Sequence, residues 1–255
     1  RQMCIRDSYK PADYFDIVHL GSDVTDSLAK ALLDTTAFLS SIFKDPEEGA
    51  KLVSPSWKFM REVLIWGSIA PDIRLDDVCV PAYYTEDMRY QLAKVNACRI
   101  YSEMCNSVES GGRRMSLTET LLSDFIAKAD AALTSGSQRA ADLRFAHDVS
   151  VAPLSALIGI EGCDKRLPAK DVWKYWMTSE YVPMAMNLQM VFYRKDGDTK
   201  CKDVLVKFLL NEQERLVPAL TPVEGPYYRW KDVRKFLLEK VKYAHEINVR
   251  WGVAQ

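Results

Sequence analysis

The sequence predicts a fold of the α/β or α+β kind, with a helical first half followed by a mixed second half. Three observations carry this. Apolar residues recur at helical spacing in four stretches before Leu133, and the character of the chain changes after Gly136. Two apolar runs rich in β-branched residues, Leu188 to Tyr193 and Asp203 to Leu210, then lie on either side of a Lys195-Asp196-Gly197-Asp198 turn. Helices, then a strand, a helix and further strands make a mixed pattern rather than an all-helical one.

The elements follow in chain order. From Asp23 to Phe43 the apolar positions Leu28, Ala31, Leu32, Leu39, Ile42 and Phe43 predict one helix, with Asp23 or Thr25 as its N-cap. Pro55 to Gly67 predicts a second, and a loop rich in Asp and Pro runs from Pro71 to Pro81. Thr85-Glu86-Asp87 opens a third helix, with acidic residues where the helix dipole favours them, and this helix continues to about Cys105. Gly111-Gly112-Arg113-Arg114 interrupts the pattern. Ser116-Leu117-Thr118-Glu119 has the form of a capping box for a fourth helix ending near Leu133. Asp142 to Ala146 alternates and predicts a short strand that ends at His147-Asp148, with a helix over Val151 to Ile158 packed against it and Gly159 near the end of that helix. The two apolar runs predict an antiparallel hairpin, and Lys231 to Val249 predicts a closing amphipathic helix. Residues 9–135 thus form a mostly helical domain and residues 136–255 part of an α/β domain.

Composition narrows the function classes. The chain has 255 residues, 48% hydrophobic and 27% charged, and a formal net charge of −1, which is ordinary for a globular protein. No global basic field points to nucleic acid, although a local anion site needs only a few placed cations. No apolar run reaches the roughly 18 residues of a membrane span. There is no G-x-G-x-x-G, no Walker loop and no metal-ligand cluster, so no cofactor is expected. Tyr227-Tyr228-Arg229-Trp230 could form a stacking platform, but packing of the last helix on the sheet is the more economical reading.

Arg1 to Ser8 reads RQMCIRDS. It resembles a one-frame translation of a sequencing-library adapter, which would make the chain a metagenomic fragment. The alternative is a polar tail, and on either reading these residues stay out of the fold. The cysteines are Cys4, Cys79, Cys98, Cys105, Cys163 and Cys201, with no C-x-x-C pair. Cys98 and Cys105 lie about 10 Å apart along a helix axis, too far for a disulfide within one straight helix. A Cys163–Cys201 bridge is conceivable; buried or free thiols are the default.

Three histidines occur, His19, His147 and His245. His245 sits among Lys242, Tyr243 and Glu246 and reads as a polar helix residue, and His19 stays unassigned. His147 differs because it and Asp148 fall where a strand turns into a helix. In open α/β sheets the ligand crevice lies beyond the carboxyl ends of the strands. A carboxylate there, partly buried, would have a raised pKa and could give a proton to a leaving oxygen.

The flanking residues add a likeness. Ala141 to Asp148 (ADLRFAHD), followed by Val151-Ala152-Pro153-Leu154, resembles the His-Asp segment of histidine acid phosphatases, branch 2 of the histidine phosphatase superfamily. The likeness is nearest to bacterial relatives of multiple inositol polyphosphate phosphatase and phytase. It extends to Asn106-Ser107, the helix Leu121 to Leu133, Val182-Pro183-Met184-Ala185 with Asn187, Val204 to Lys207, Asn211-Glu212 and Pro226 to Asp232. The resemblance implies the C-terminal part of a phosphoglycerate-mutase-like α/β sandwich with a largely helical insert. It implies phosphoryl transfer through a phosphohistidine, with His147 contacting the phosphoryl group and Asp148 protonating the departing alkoxide. Ser150 and Asn187 are candidate substrate contacts, the partner is a small phosphorylated substrate, and the location is periplasmic or secreted. Oligomeric state is left open.

Two departures accompany the likeness. The family's Arg-His-Gly motif, which supplies the nucleophile and a phosphate clamp, occurs nowhere in the 255 residues. A truncated chain with little or no phosphatase activity, and prone to aggregate around Asp142 to Ala146, is therefore expected. Val149 and Ser150 follow His-Asp where many phytases have Thr-Asn, and His-Asp stands where many inositol polyphosphate phosphatases have His-Ala-Glu, so phytate specificity does not carry over. Arg113 and Arg114 could meet substrate phosphates, a solvated loop being the simpler reading. Two other readings remain: a non-catalytic binding module with a structural His147-Asp148, and a phosphatase-fold protein that lost catalysis by evolution.

Overall fold

The computed structural model describes residues 21–70, 72, 80–134, 137–198 and 203–253. His19, Cys4, Cys79, Cys201, the adapter-like start and most of the loop from Pro71 to Pro81 lie outside them.

The expected helix from Asp23 to Phe43 is two helices, α1 (Ser22–Leu32) and α2 (Thr35–Ser40). Leu33 is extended, and the Asp34 carboxylate accepts from the Ala37 amide at 2.9 Å. An Asp side chain that caps a new helix competes with continuing the old one. The N-cap of α1 is Gly21 rather than Asp23 or Thr25, and the Thr25 hydroxyl donates to the Gly21 carbonyl at 3.1 Å. Gly21 has φ +84°, and a Cβ there would lie 2.6 Å from Ser102 Cβ, so close approach to the third long helix demands glycine. A short α3 (Pro46–Leu52) carries Asp45 as N-cap and Pro46 in its first turn. Then come α4 (Ser56–Ile69) and α5 (Glu86–Met104), the latter capped by Thr85, whose hydroxyl accepts from the Met88 amide at 3.1 Å.

After α5 come α6 (Arg113–Ser116) and α7 (Glu119–Ala132). The capping box does not form. Thr118 is the N-cap without a side-chain bond, because Ser116 and Glu119 are engaged elsewhere. Ser116 Oγ donates to Asn248 Oδ1 at 2.6 Å, and Asn248 Nδ2 donates to the Ser116 carbonyl at 3.0 Å and to Glu119 Oε2 at 2.8 Å. Tertiary bonds to the last helix outcompete the local motif.

Asp142 to Ala146 is irregular rather than a strand. A strand is held by a ladder with a neighbour, and no described strand lies beside this segment. What holds it is Arg144, which pairs with Asp124 of α7, reaches Asp142 at 3.6 Å and lies over the Phe125 ring. From Asp142 to Ala146 only Arg144 is half-buried, and Leu143 and Phe145 are 77% and 88% exposed.

The helix after it is α8 (Asp148–Ile158), ended by Gly159 in the left-handed conformation. A 3-10 helix (Ala169–Lys174) and a short α9 (Thr178–Tyr181) lead into the sheet. Strands β1 (Leu188–Tyr193) and β2 (Leu205–Leu210) form the expected antiparallel hairpin, with Leu188 opposite Leu210 and Tyr193 opposite Leu205. Short strands β3 (Gln213–Arg215) and β4 (Tyr228–Arg229) pair with the other edge of β2. The closing helix is α10 (Trp230–Arg250).

Burial explains the order. Val206, Phe208 and Leu210 point to the buried face of β2, where each fully buried side chain contributes roughly 2 kcal/mol. Trp230, Val233, Leu237, Ala244 and Ile247 form one buried face of α10, at spacings of three and four or their sums. Tyr228 is buried with its hydroxyl accepting from the Val217 amide at 2.9 Å, so the Tyr227 to Trp230 run is largely packing. One core extends from Ala97 to Ala244, and two smaller clusters involve α1, α2, α4 and α5. The described thiols Cys98, Cys105 and Cys163 are buried and free. No helix among the described residues is long and apolar enough to cross a membrane.

Candidate active site

His147 is the N-cap of α8, with extended backbone at φ −81° and ψ 162°, and Asp148 is the first helical residue. The amides of Ser150 and Val151 both reach back to the His147 carbonyl, at 3.0 and 3.4 Å, so the first turn is wound tightly. Asp148 Oδ1 accepts from the adjacent Val149 amide at 2.9 Å. Pro153 lies inside the helix and has no N–H, which leaves the Val149 carbonyl without its usual intrahelical partner. Beyond this turn the helix is buried from Ala152 to Ile158.

The turn itself faces outward. His147 and Asp148 are exposed, while Val149 and Ser150 are half-buried. The expected partial burial of Asp148 is therefore not found. Among the described residues no strand pairs with the segment that leads into the turn, and the Asp148 carboxylate is open to water. Positioning by a helix N-terminus remains, and there the dipole and the first-turn amides favour an anion.

Behind the turn lies an ionic cluster that sequence reasoning did not single out. Arg99 on α5 donates to Glu103 at 2.6 Å and to Asn96 at 3.4 Å. Burial pushes the Arg99 guanidinium down from its ordinary value, against the carboxylates of Glu103, Asp148 and Glu62, and Arg61 adds to the lowering. Burial likewise pushes Glu103 up, opposed by Arg99, Arg61 and Arg114. Asp148 thus stands at the edge of a group in which α4, α5 and α6 bring together three guanidinium groups. The legible signal was the i, i+4 spacing of Arg99 and Glu103 on a helix.

Arg114 is buried at 5% exposure within α6, and the Arg113 guanidinium lies 4.3 Å from the centre of the Trp251 ring. The solvated-loop reading of this pair is corrected, because α6 packs between α8 and α10. Ser150 shares the first turn of α8 with Asp148. Asn187 sits just before β1, where its amide donates to Asn211 Oδ1 at 3.3 Å and its side chain bonds Ala185 and Gln189. Among the described residues no hydrogen bond joins Asn187 to the His147 turn. His245 Nδ1 lies 3.1 Å from Glu119 Oε1, in the polar network that ties α7 to α10.

Comparison with known proteins bears on this turn. The model of the histidine phosphatase superfamily (branch 2) matches residues 80–211, more than half of the chain and inclusive of His147 and Asp148. The chain belongs to that superfamily. Two crystal structures of Bifidobacterium longum multiple inositol polyphosphate phosphatase are similar to it. The apo form is 26% identical with a TM-score of 0.53, and the phosphate complex is 27% identical with a TM-score of 0.54. Each comparison covers 62% of this chain and 34% of the solved one, so the superfamily member described here spans about a third of those relatives. No curated protein is a significant match. The fold on which the superfamily residues sit is mixed α/β, mostly helical, with one small antiparallel sheet among the described residues.

Proposed function

We propose that this chain contributes the proton-donor half of a phosphomonoesterase site acting on inositol phosphates or other small phosphomonoesters. The carrying observation is the His147-Asp148 pair at the start of α8, within the stretch matched by the superfamily. In this reading His147 contacts the phosphoryl group, where the α8 amides add favourable dipoles. Asp148 gives its proton to the leaving oxygen, then takes one from the water that hydrolyses a phosphohistidine. Ser150 and Asn187 contact substrate, and the wider domain is an α/β sandwich with a helical insert. Phosphoryl transfer relies on positioning and charge stabilisation, and the Arg61, Arg99 and Arg114 cluster supplies positive charge beside the turn.

The nucleophile is the missing part, since no Arg-His-Gly occurs in the chain. The 255 residues are expected to turn over p-nitrophenyl phosphate only at trace level. Binding is the sharper test. Orthovanadate, followed by vanadium NMR, is expected to bind the chain, weakly, and to lose most of that binding in His147→Ala. Binding that is indifferent to His147→Ala would sink the assignment of this turn as a phosphoryl site. A non-catalytic binding role is the alternative, and the exposure of both side chains is the observation that favours it.

A further inference from the structure

At the end of the hairpin away from Asn187, a cleft of about 440 Å³ opens between the tips of β1 and β2 and the start of α10. That volume lies in the range of small-molecule sites. Four cations line it, Arg194, Lys195, Arg229 and Lys231, against one carboxylate, Asp203. Among the described residues Lys195, Arg229 and Lys231 make no ion pair, unlike the neighbouring Lys207, which pairs with Glu214. The whole chain has a net charge of −1, so this local excess is not the overflow of a basic protein.

The walls are held in place. The Trp230 amide donates to the Val204 carbonyl at 2.9 Å, which fixes the start of α10 against β2, and Arg229 is paired with Leu205 in the ladder. Trp230 also packs edge-on against Phe192, ring centres 5.0 Å apart. On the hairpin side the Tyr193 ring stands edge-on to Tyr227 and is 39% exposed, giving the cleft an apolar wall. No side chain caps the 21-residue α10, so the positive end of its dipole adds to the cations, offset in part by Asp232 in the first turn.

We propose that this cleft binds a small soluble polyanion, a molecule with two or more phosphate or carboxylate groups. Its concave shape, fixed on two sides, favours a compact ligand over a flat charged surface. The cleft is separate from the His147 turn. The Asn187 end of the hairpin is tied to α9 through Asn211 and Glu180, and α9 packs on α5, which carries Arg99. The cleft lies at the other end of β1, roughly 17 Å along a strand at about 3.4 Å per residue. The proposal is therefore independent of the phosphatase reading.

Tripolyphosphate is a suitable probe, titrated into the full chain by calorimetry at low salt. Binding is expected, and it should weaken by about tenfold as salt rises toward 0.2 M, because the cations are exposed and readily screened. Arg229→Gln combined with Lys231→Gln should weaken it by at least about tenfold, with the circular dichroism spectrum unchanged. Lys195→Gln, on the exposed hairpin turn, gives a second check if that pair disturbs α10, with a loss of about threefold. His147→Ala and Asp148→Asn should leave the affinity as it is. Full affinity in both sets of cleft variants overturns the proposal. So does a loss in His147→Ala matching that of the cleft variants. Attachment to phosphatidylserine vesicles without binding of tripolyphosphate overturns it in favour of a membrane surface.

Discussion

The β1–β2 hairpin with α10 and the His147-Asp148 turn are built on opposite principles. In the hairpin every second residue of β2 is buried, and α10 buries an apolar face in the same core, against α6, α7, α8 and β4. The turn is exposed, follows an irregular segment, and rests on one buried helix. Stability is concentrated in the first region and the candidate chemistry in the second, so substitutions should separate the two.

The largest expected effect comes from breaking the core. Phe208 is fully buried on β2 and packs against Tyr228, ring centres 6.3 Å apart. Phe208→Ala should lower the unfolding free energy by about 3–5 kcal/mol, measured by urea unfolding. Asp148→Asn, at an exposed position, should change it by less than about 0.5 kcal/mol. Comparable losses in the two variants would show that the turn is part of the stabilising core and would end the comparison.

The next effect lies where the helical half meets α10. Asn248 is 2% exposed and makes three side-chain hydrogen bonds, two to Ser116 and one to Glu119. Asn248→Ala takes a donor from the Ser116 carbonyl and from Glu119, while the Ser116 hydroxyl keeps the Arg113 carbonyl at 2.8 Å, and should cost about 1–3 kcal/mol. His245→Ala removes a half-exposed contact to the same Glu119 and should cost well under 1 kcal/mol. The same urea series reads both, and the reverse ranking would place the weight of this junction on the histidine.

The same contrast explains what could be read from the sequence. The hairpin and α10 were legible almost to the residue, because burial on one face writes a period of 2 or 3.6 into the chain. Where a polar side chain bonds a distant partner or caps a new helix, apolar spacing and local motifs mislead. Ser116 and Glu119 have capping-box spacing yet bond Asn248, and Asp34 ends a helix that apolar spacing alone would continue. The α3 helix is too short to show an apolar period, and its mark in the sequence is the helix start Asp45-Pro46-Glu47-Glu48. Asp142 to Ala146 alternates as a strand does, but a ladder needs a neighbour, and alternation says nothing about whether one is present. His147-Asp148 leaves no periodic mark, and likeness to a family singles it out as a candidate where pattern does not. The Arg99 cluster stayed hidden because its members come from three helices.

A smaller effect is expected in alkaline solution. Burial pushes the Cys98 thiol up to about 11 and the Cys163 thiol up to about 12, from an ordinary value of 9.0. Folded, these thiols keep their protons where unfolded ones have lost them. Their contribution is intact below about pH 9 and is lost as the pH rises through the folded values. Thermal melting temperature should fall between pH 9 and 11, and a Cys98→Ala, Cys163→Ala variant should fall less steeply. Parallel slopes would assign the loss to other groups, such as the buried tyrosines.

The smallest expected effect on stability tests the turn's approach segment. Leu143 and Phe145 are exposed on an irregular stretch that Arg144 ties to α7 through Asp124. Single exposed apolar residues are normal, but two in alternation on a backbone without a ladder partner present an edge to other chains. Because neither side chain is packed, Leu143→Ser with Phe145→Ser should leave the melting temperature within about 2 °C, the span of a few tenths of a kcal/mol for a chain this size. Light scattering against protein concentration should nonetheless drop clearly. If scattering falls while stability holds, self-association starts at the segment leading into His147, and the candidate site sits beside the least protected of the described segments. If stability falls too, the segment packs on the body of the protein more than its exposure indicates. Unchanged scattering would move the sticky surface elsewhere, Met184 at 87% exposure being the next residue to replace.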